Sequence, residues 1–237
     1  MGKLYIGLSG YSYKPWVGRF YPEGTKAGDL LGYYAGRYPA VEMDGTWYRM
    51  PSEAAVQAWL GGTPEGFRFC FKAHRQVTHM ARLKEAAVEP IKFQLKRLAP
   101  MRARLGPILL QLPPNSKRHD DRLASFLDRV RAEIPEQEQW AVEFRNDTWH
   151  APEVEAILRD RNVAWVAADT DEADAQRRQT AGYLYARLRR SEYTRERLAD
   201  WAAYFRGSGV DAHVFCKHED EGSPWEWADA LVDLYGS

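Results

Sequence analysis

Short apolar runs recur along the chain, separated by longer stretches in which apolar residues return every three or four positions. The first pattern marks buried strands and the second marks amphipathic helices. Strands are predicted over 4–9, 40–44, 67–73, 108–112, 140–145, 164–169, 183–189 and 212–217. Helices are predicted over 29–38, 53–60, 85–105, 120–134, 152–161, 195–205 and 224–234, the third interrupted by Pro90 and Pro100. Residues 171–181 are too polar and too few for a further helix. Strands alternating with helices at this spacing are the pattern of parallel βα units. The strand count and the 237-residue length fit a single α/β domain over 1–237, a closed (β/α)8 barrel of the TIM type. An open doubly wound sheet fits less well, because its Gly-rich dinucleotide turn is missing.

The two-residue period within strands sorts side chains onto two faces. Phe67, Phe69 and Phe71 share one phase, leaving Arg68, Cys70, Lys72 and His74 on the other. Glu42 and Asp44 share a phase, Glu143 and Arg145 oppose Val142 and Phe144, and Arg187 and Arg189 fall on the side of Tyr185. Ser9, Gln111 and Asp169 close three further strands. These polar residues come late in their strands, at the carboxyl end where barrel enzymes carry their active sites.

Composition narrows the function classes. Lys plus Arg and Asp plus Glu are 33 each, so overall charge gives no sequence-blind attraction to duplex DNA or to an anionic membrane. With 45% hydrophobic and 28% charged residues the chain is an ordinary globular one, not a disordered one. No apolar run approaches the ~18 residues of a membrane span, and no membrane partner is expected. No apolar leader is read at the first residues, so a cytoplasmic protein is expected. Cys70 and Cys216 are too few for a disulfide framework or a thiolate zinc site, and two buried thiols suit a reducing compartment.

The inferred mouth holds the acids Glu42, Asp44, Glu143 and Asp169 and the bases Lys72, Arg145, Arg187 and Arg189. Such a set either satisfies itself as an ionic network or leaves bases to hold an anion. Arg offers a planar fork for carboxylate or phosphate, and Lys a point charge. Glu143 is the candidate proton carrier. Lys72, if desolvated, is a candidate base or imine-forming amine, and otherwise a partner for Glu42 or Glu143. His79 is a candidate acid or base, and otherwise a loop histidine bonded to a carbonyl. Substrate-binding candidates are Ser9, Tyr13, Trp16, Glu42, Asp44, Tyr48, Gln111, Arg145, Trp149, Asp169, Arg187 and Arg189, the aromatics walling a pocket or else packing in the core. His74, His79 and His218 could join the carboxylates around a metal, but no metal-binding spacing is present, and neither a metal nor another cofactor is expected. The Arg-rich stretch 177–206 is either a solvated face or a patch for a phosphate polymer.

Three functions follow as alternatives. The first is an enzyme of hydrolase, lyase or isomerase type doing acid/base chemistry on a small anionic substrate. The second is a nucleic-acid-binding or phosphodiester-processing barrel, and the third a non-catalytic ligand-binding barrel. Oligomeric state has no signature in the sequence.

Several segments carry a family resemblance. Gly7-Leu8-Ser9-Gly10-Tyr11-Ser12-Tyr13, followed by Trp16, Gly18, Phe20, Tyr21 and Pro22, resembles the opening of the domain of unknown function 72 proteins, the YecE-like family. Val41-Glu42-Met43-Asp44 through Trp47-Tyr48-Arg49-Met50-Pro51 is similar to its second block, and Phe69-Cys70-Phe71-Lys72-Ala73 with Thr78-His79 to its third. The run from Gly106 to Pro114, and Val142-Glu143-Phe144-Arg145 with Trp149, resemble the fourth and fifth. The resemblance implies a TIM-type barrel in a cytoplasmic bacterial or archaeal protein and carries no assigned reaction. The chain departs from the family pattern at Asp44, where Asn is usual, and at Arg189-Arg190, where His-Gly is usual. It departs again at Cys216-Lys217-His218-Glu219-Asp220, where an Asn-rich run is usual.

Overall fold

The computed structural model describes residues 2–135, 137, 139–217 and 223–236. Eight strands form: β1 Leu4–Leu8, β2 Ala40–Met43, β3 Arg68–Phe71, β4 Ile108–Gln111, β5 Trp140–Glu143, β6 Ala164–Ala168, β7 Tyr183–Leu188 and β8 Asp211–Cys216. The α-helices are α1 Leu30–Arg37, α2 Glu53–Gly61, α3 Val88–Leu98, α4 Asp120–Glu133, α5 Pro152–Asp160, α6 Arg195–Ser208 and α7 Pro224–Gly236. Every strand stops one or two residues before its predicted end. Ser9, Asp44, Lys72, Arg145, Asp169, Arg189 and Lys217 therefore stand just beyond the ladder, where a polar side chain can reach across the strand ends.

Local sequence accounts for the helices. Ser52 Oγ accepts the Ala55 N–H at 3.2 Å to open α2, and Thr194 Oγ1 accepts the Arg197 N–H at 3.3 Å to open α6. Gly209, at φ 71°, ends α6 in the left-handed conformation that favours glycine. In α3 the buried face is Val88, Ile91, Leu95 and Leu98, a helical spacing. The helix predicted over 85–105 is split, because Pro90 is tolerated in the first turn of α3 while Pro100 opens a separate 3-10 segment, Ala99–Arg104. Between β6 and β7 no helix forms among the described residues, as the polarity of 171–181 anticipated.

All pairings are parallel, but the ladder is not one continuous ring. Six strands curl in the order β1-β8-β7-β6-β5-β4, and β2 and β3 form a separate pair. The uninterrupted eight-strand ladder expected from the sequence is thus broken at two seams, crossed by single bridges from Ser9 to Glu42, from Phe69 to Leu105 and from Lys72 to Leu109. The first seam has a visible cause. The Tyr34 phenol is inserted between β1 and β2, accepting the Leu8 N–H at 2.7 Å and donating to the Ala40 carbonyl at 2.9 Å. Gly7 makes room: a β-carbon there would lie 1.9 Å from the Ala40 oxygen and 2.7 Å from the Tyr34 hydroxyl. At the second seam the Gly106 and Ala73 N–H groups each donate at 2.9 Å, to the Phe69 and Leu109 carbonyls.

Two apolar clusters result from the alternation of side chains. The larger lies between strands and helices and takes Phe67, Phe69, Phe71, Val142 and Phe144. The smaller is enclosed by the strands and takes at least one residue from each of the eight: Tyr5, Ala40, Cys70, Leu109, Ala141, Val166, Tyr185 and Phe215. His213 sits in this interior, stacked on Tyr5 with ring centroids 4.9 Å apart and with Nδ1 3.7 Å from Cys70 Sγ. Burial pushes its pKa down to about 3, so it is neutral at ordinary pH. No helix among the described residues is long and apolar enough to cross a membrane.

Candidate functional site

Above the enclosed apolar cluster, at the carboxyl ends of the strands, the interior turns ionic. Arg187, fully buried, lies between two buried carboxylates. Its Nη2 and Nε donate to Glu42 Oε1 at 2.8 and 3.1 Å, and its Nη1 to Glu143 Oε2 at 2.7 Å. Glu42 also accepts from Ser9 Oγ at 2.6 Å and from the Tyr185 hydroxyl at 2.6 Å. Gln111 Nε2 donates to both oxygens of Glu143 at 2.9 Å. Burial alone would neutralise these groups, but each charge is answered by a hydrogen-bonded opposite. Desolvation works against the Glu143 carboxylate, yet Arg187, Arg189 and Gln111 outweigh it and hold its pKa down to about 2. Burial likewise opposes the charge on Arg187, and Glu42, Glu143 and Asp44 hold it protonated.

Nearer the opening, Asp44 has Oδ2 3.3 Å from Lys217 Nζ and Oδ1 3.5 Å from Arg187 Nη2. Burial disfavours its charge, but Arg187, Lys217 and Lys72 together leave its pKa below the usual carboxylate range. Oδ1 is buried with no hydrogen-bond partner among the described residues. Lys72 differs from Glu42, Asp44, Glu143 and Arg187, which are all ion-paired. Its amine lies 5.3 Å from the centre of the Trp47 ring and makes no ion pair among the described residues. Burial lowers its pKa, and Arg187 adds to the effect, while Asp44, Glu143 and Glu42 pull the other way without restoring it. The Lys72 backbone is fixed: its carbonyl accepts from Thr46 Oγ1 at 2.8 Å and from Gln94 Nε2 at 3.0 Å.

His79 completes this side, in a single π-helical turn, Gln76–Met80, after β3. Its Nδ1 accepts from Trp47 Nε1 at 3.3 Å, and Thr78 Oγ1 lies 2.9 Å away. Indole can only donate, so Nδ1 is the acceptor and the neutral ring carries its proton on Nε2. Burial, then the nearby charges of Lys72, Arg145 and Arg82, lower its pKa. The neutral ring is therefore the form present at neutral pH.

The structure brings most of the candidates into one mouth and sends others elsewhere. Ser9, Glu42, Asp44, Lys72, His79, Gln111, Glu143, Arg187 and Arg189 converge, with Arg189 Nη1 3.6 Å from Glu143. Tyr13 is half-exposed and donates to the Ser9 carbonyl at 3.0 Å, and Tyr48 is exposed beside Trp47. Arg145 is exposed and unpaired among the described residues. Asp169 is committed to structure: Oδ1 accepts the Arg189 N–H at 2.8 Å and the Tyr193 hydroxyl at 2.5 Å, fastening the segment after β7. Two candidates face away from the mouth. Trp16 packs on Phe20 and Trp225, and Trp149 stacks on Phe144 with Nε1 donating to the Ser116 carbonyl at 2.7 Å. Both lie in the outer apolar cluster, where an indole supplies more buried area than any smaller side chain.

Trp47 is one of the aromatics that the sequence places after the second strand, whereas Tyr185, Thr46 and Gln94 are not among the sequence's site candidates. Gln94 was detectable as the polar member of the otherwise apolar stripe of α3, and Tyr185 as the aromatic sharing a phase with Arg187. Two departures from the family pattern meet in one ion pair, Asp44 with Lys217. Arg190 is likewise paired, with Asp174 at 2.6 Å. His218 lies outside the described residues. Within the Arg-rich stretch, Arg177 pairs with Asp200 at 2.7 Å, Arg178 with Glu155, and Arg197 with Asp174 at 3.4 Å, so much of its charge is answered locally. Among the described residues no group of three or more His, Cys, Asp or Glu is arranged to hold a metal ion.

A cleft of about 590 Å³ opens beside Glu143, walled by Arg145, Arg189, His150 and Trp165. A larger hollow of about 800 Å³, between the loop after β2 and helix α3, is lined by Met50, Trp59 and Phe93 and holds none of the ionic groups above. Of the two, only the smaller opening reaches a member of the ionic network, at Glu143 and Arg189.

Parallel strands alternating with helices, with an ionic mouth at the strands' carboxyl ends, define the class: a parallel-strand α/β protein. The chain belongs to the family described as protein of unknown function DUF72, whose model matches residues 5–237. Among curated relatives, UPF0759 protein YecE of Escherichia coli K12 is 32% identical over 150 residues, 62% of this chain and 50% of the relative. UPF0759 protein YunF of Bacillus subtilis 168 is 28% identical over 157 residues, 63% of this chain and 53% of the relative. The matched stretch thus spans about half the length of these curated relatives. Among solved structures, a DUF72 family protein from Thermotoga maritima superposes with a TM-score of 0.82 at 25% identity, covering 99% of this chain and 100% of the other.

Proposed function

We propose that the eight strands form one closed (β/α)8 barrel and that its mouth performs acid/base chemistry on a small anionic substrate. Closure is supported by the enclosed cluster, which draws on every strand, and by the bridges across both seams. The observation that carries the functional reading is the contrast within the mouth. Glu42, Asp44, Glu143 and Asp169 all have cationic partners, while Lys72 has none. A self-satisfied network would have no use for a half-buried amine on an indole face, which is costly to keep charged and is satisfied by an incoming anion. Arg145 and Arg189 line the adjoining cleft and supply further donors for carboxylate or phosphate.

The roles shift from those expected of the sequence alone. Glu143, held ionised down to about pH 2, has no proton to give at neutral pH and serves to fix Arg187. Proton movement falls to Lys72, whose amine burial draws below its ordinary pKa, and to His79, whose Nε2–H is a donor. The buried free thiols of Cys70 and Cys216 accord with a reducing compartment, and we place the protein in the cytoplasm on that ground. Calorimetric titration with oxalate and inorganic phosphate tests the reading. Binding should weaken at least about tenfold, or ~1.4 kcal/mol, in Lys72→Met. Equal affinity in the variant, or no binding to the parent protein, overturns it.

A further inference from the structure

We propose that Lys72 is a carbonyl-condensing amine, and that the mouth takes a small 2-oxo acid or aldehyde acid into an imine. This rests on the anionic-substrate reading above and gives that substrate a chemical class. Imine formation asks four things of a site: a free amine, a fixed approach, a proton donor for the carbonyl oxygen, and a holder for the rest of the substrate. Each has a counterpart here. The Lys72 amine rests on Trp47 with no carboxylate holding its lone pair as a salt-bridged ammonium. Its backbone is pinned by Thr46 and Gln94, both buried, so the chain that carries the amine is held in place. The Nε2–H of neutral His79, whose ring stands edge-on to Trp47 at 4.9 Å, is the available donor. Arg145 and Arg189 stand in the wall of the cleft beside Glu143, which also carries Asp147, Glu172 and Asp174, and would hold the carboxylate.

Asp44 supplies a further feature. Its Oδ1 is buried and accepts no hydrogen bond among the described residues, its ion-pair contact being Arg187 Nη2 at 3.5 Å, and its charge reaches Lys72. An acceptor with no hydrogen bond there suits the hydroxyl of a carbinolamine or the N–H of an iminium, both of which are donors.

The step balances without an external oxidant. The Lys72 nitrogen lone pair forms a C–N bond to the carbonyl carbon, and the C=O π pair moves to oxygen, which takes a proton. The nitrogen loses a proton to give a neutral carbinolamine. Protonation of that hydroxyl lets the C–O bond break with loss of water, and the nitrogen lone pair forms the C=N bond of the iminium.

The test is reductive trapping on the intact protein near neutral pH. Glyoxylate or pyruvate is added with sodium cyanoborohydride, which delivers hydride to the iminium carbon and fixes the adduct as a secondary amine. Peptide mass mapping then ranks the lysines by rate. Lys72 is expected to be alkylated severalfold faster than exposed Lys14, Lys26 or Lys117, with acetaldehyde, which lacks the carboxylate, a poorer reagent at that position. Labelling of Lys72 no faster than these surface lysines overturns the proposal, and this comparison needs no variant to fold. Oxalate, which cannot condense, separates the two readings. Lys72-dependent oxalate binding without trapping rejects the imine and keeps the anion site, whereas failure of both rejects both.

Discussion

The inside of the strands holds two buried regions of opposite character. The floor includes Cys70, Tyr183 and His213, titratable groups whose shifts favour the neutral form. The mouth, a few residues further along the same strands, carries groups that stay charged although equally buried. Single strands pass through both: β7 places Tyr183 on the floor and Arg187 in the mouth, and β3 places Cys70 below Lys72. Burial is common to the two regions, so it does not decide protonation. What differs is the partner. His213 has an aromatic ring and a thiol beside it, while Arg187 has two carboxylates at hydrogen-bond distance. Lys72 stands between these cases: burial lowers its pKa, and no ion pair among the described residues offsets it.

The comparison can be broken most forcefully at Arg187. Arg187→Met strands Glu42 and Glu143 without their shared cation and is expected to cost about 5 kcal/mol by urea unfolding. A loss under about 1 kcal/mol would mean the mouth is not held by charge pairing. The floor is tested by acid. The His213 pKa is about 3 in the fold and ~6.5 in the unfolded chain, so between these values the unfolded chain binds the extra proton. Stability should fall by about 4 kcal/mol as pH drops from ~6.5 toward 3, and His213→Phe should flatten that slope.

Glu143 acts in a lower window. Its folded value of about 2 lies below the ordinary 4.5, so its contribution is full above 4.5 and is lost as pH falls through about 2. The loss is about 3 kcal/mol, and Glu143→Gln should remove this part of the acid profile while leaving the His213 part. The smallest effect sharpens the position of Lys72. Asp44 is the largest charge favouring the ammonium, so Asp44→Asn should lower the Lys72 titration midpoint further, read by NMR of its side-chain carbons. An unchanged midpoint would separate Asp44 from the amine.

Much of this organisation was legible in the residues. Alternation within strands placed Phe67, Phe69 and Phe71 outward and Cys70 and Lys72 inward, because a strand has two faces and a fixed period. The polar strand ends Ser9, Glu42, Gln111, Glu143 and Arg187 converge for the same reason. The seams were not legible, since they arise from one inserted phenol, Tyr34, and from the closeness of Gly7 to Ala40, neither of which period or propensity encodes. Trp16 and Trp149 were misplaced because an aromatic after a strand can turn toward the mouth or toward the helices, and only packing decides. The partners of Glu143 were not legible either: a carboxylate in a mouth reads as an acid or base, and only the fold shows it accepting from Gln111 and Arg187.

The central claim is that Lys72 is a half-buried amine without an ion pair, in a mouth where Glu42, Glu143 and Arg187 are paired. The direct measurement is an NMR titration of carbon-13-labelled lysine side chains, with the Lys72 resonance assigned by its loss in Lys72→Arg. The expected result is a Lys72 midpoint below that of the exposed lysines, moving upward when oxalate is added, because a bound anion favours the ammonium. A midpoint at or above the ordinary ~10.4, unmoved by oxalate, would contradict the account.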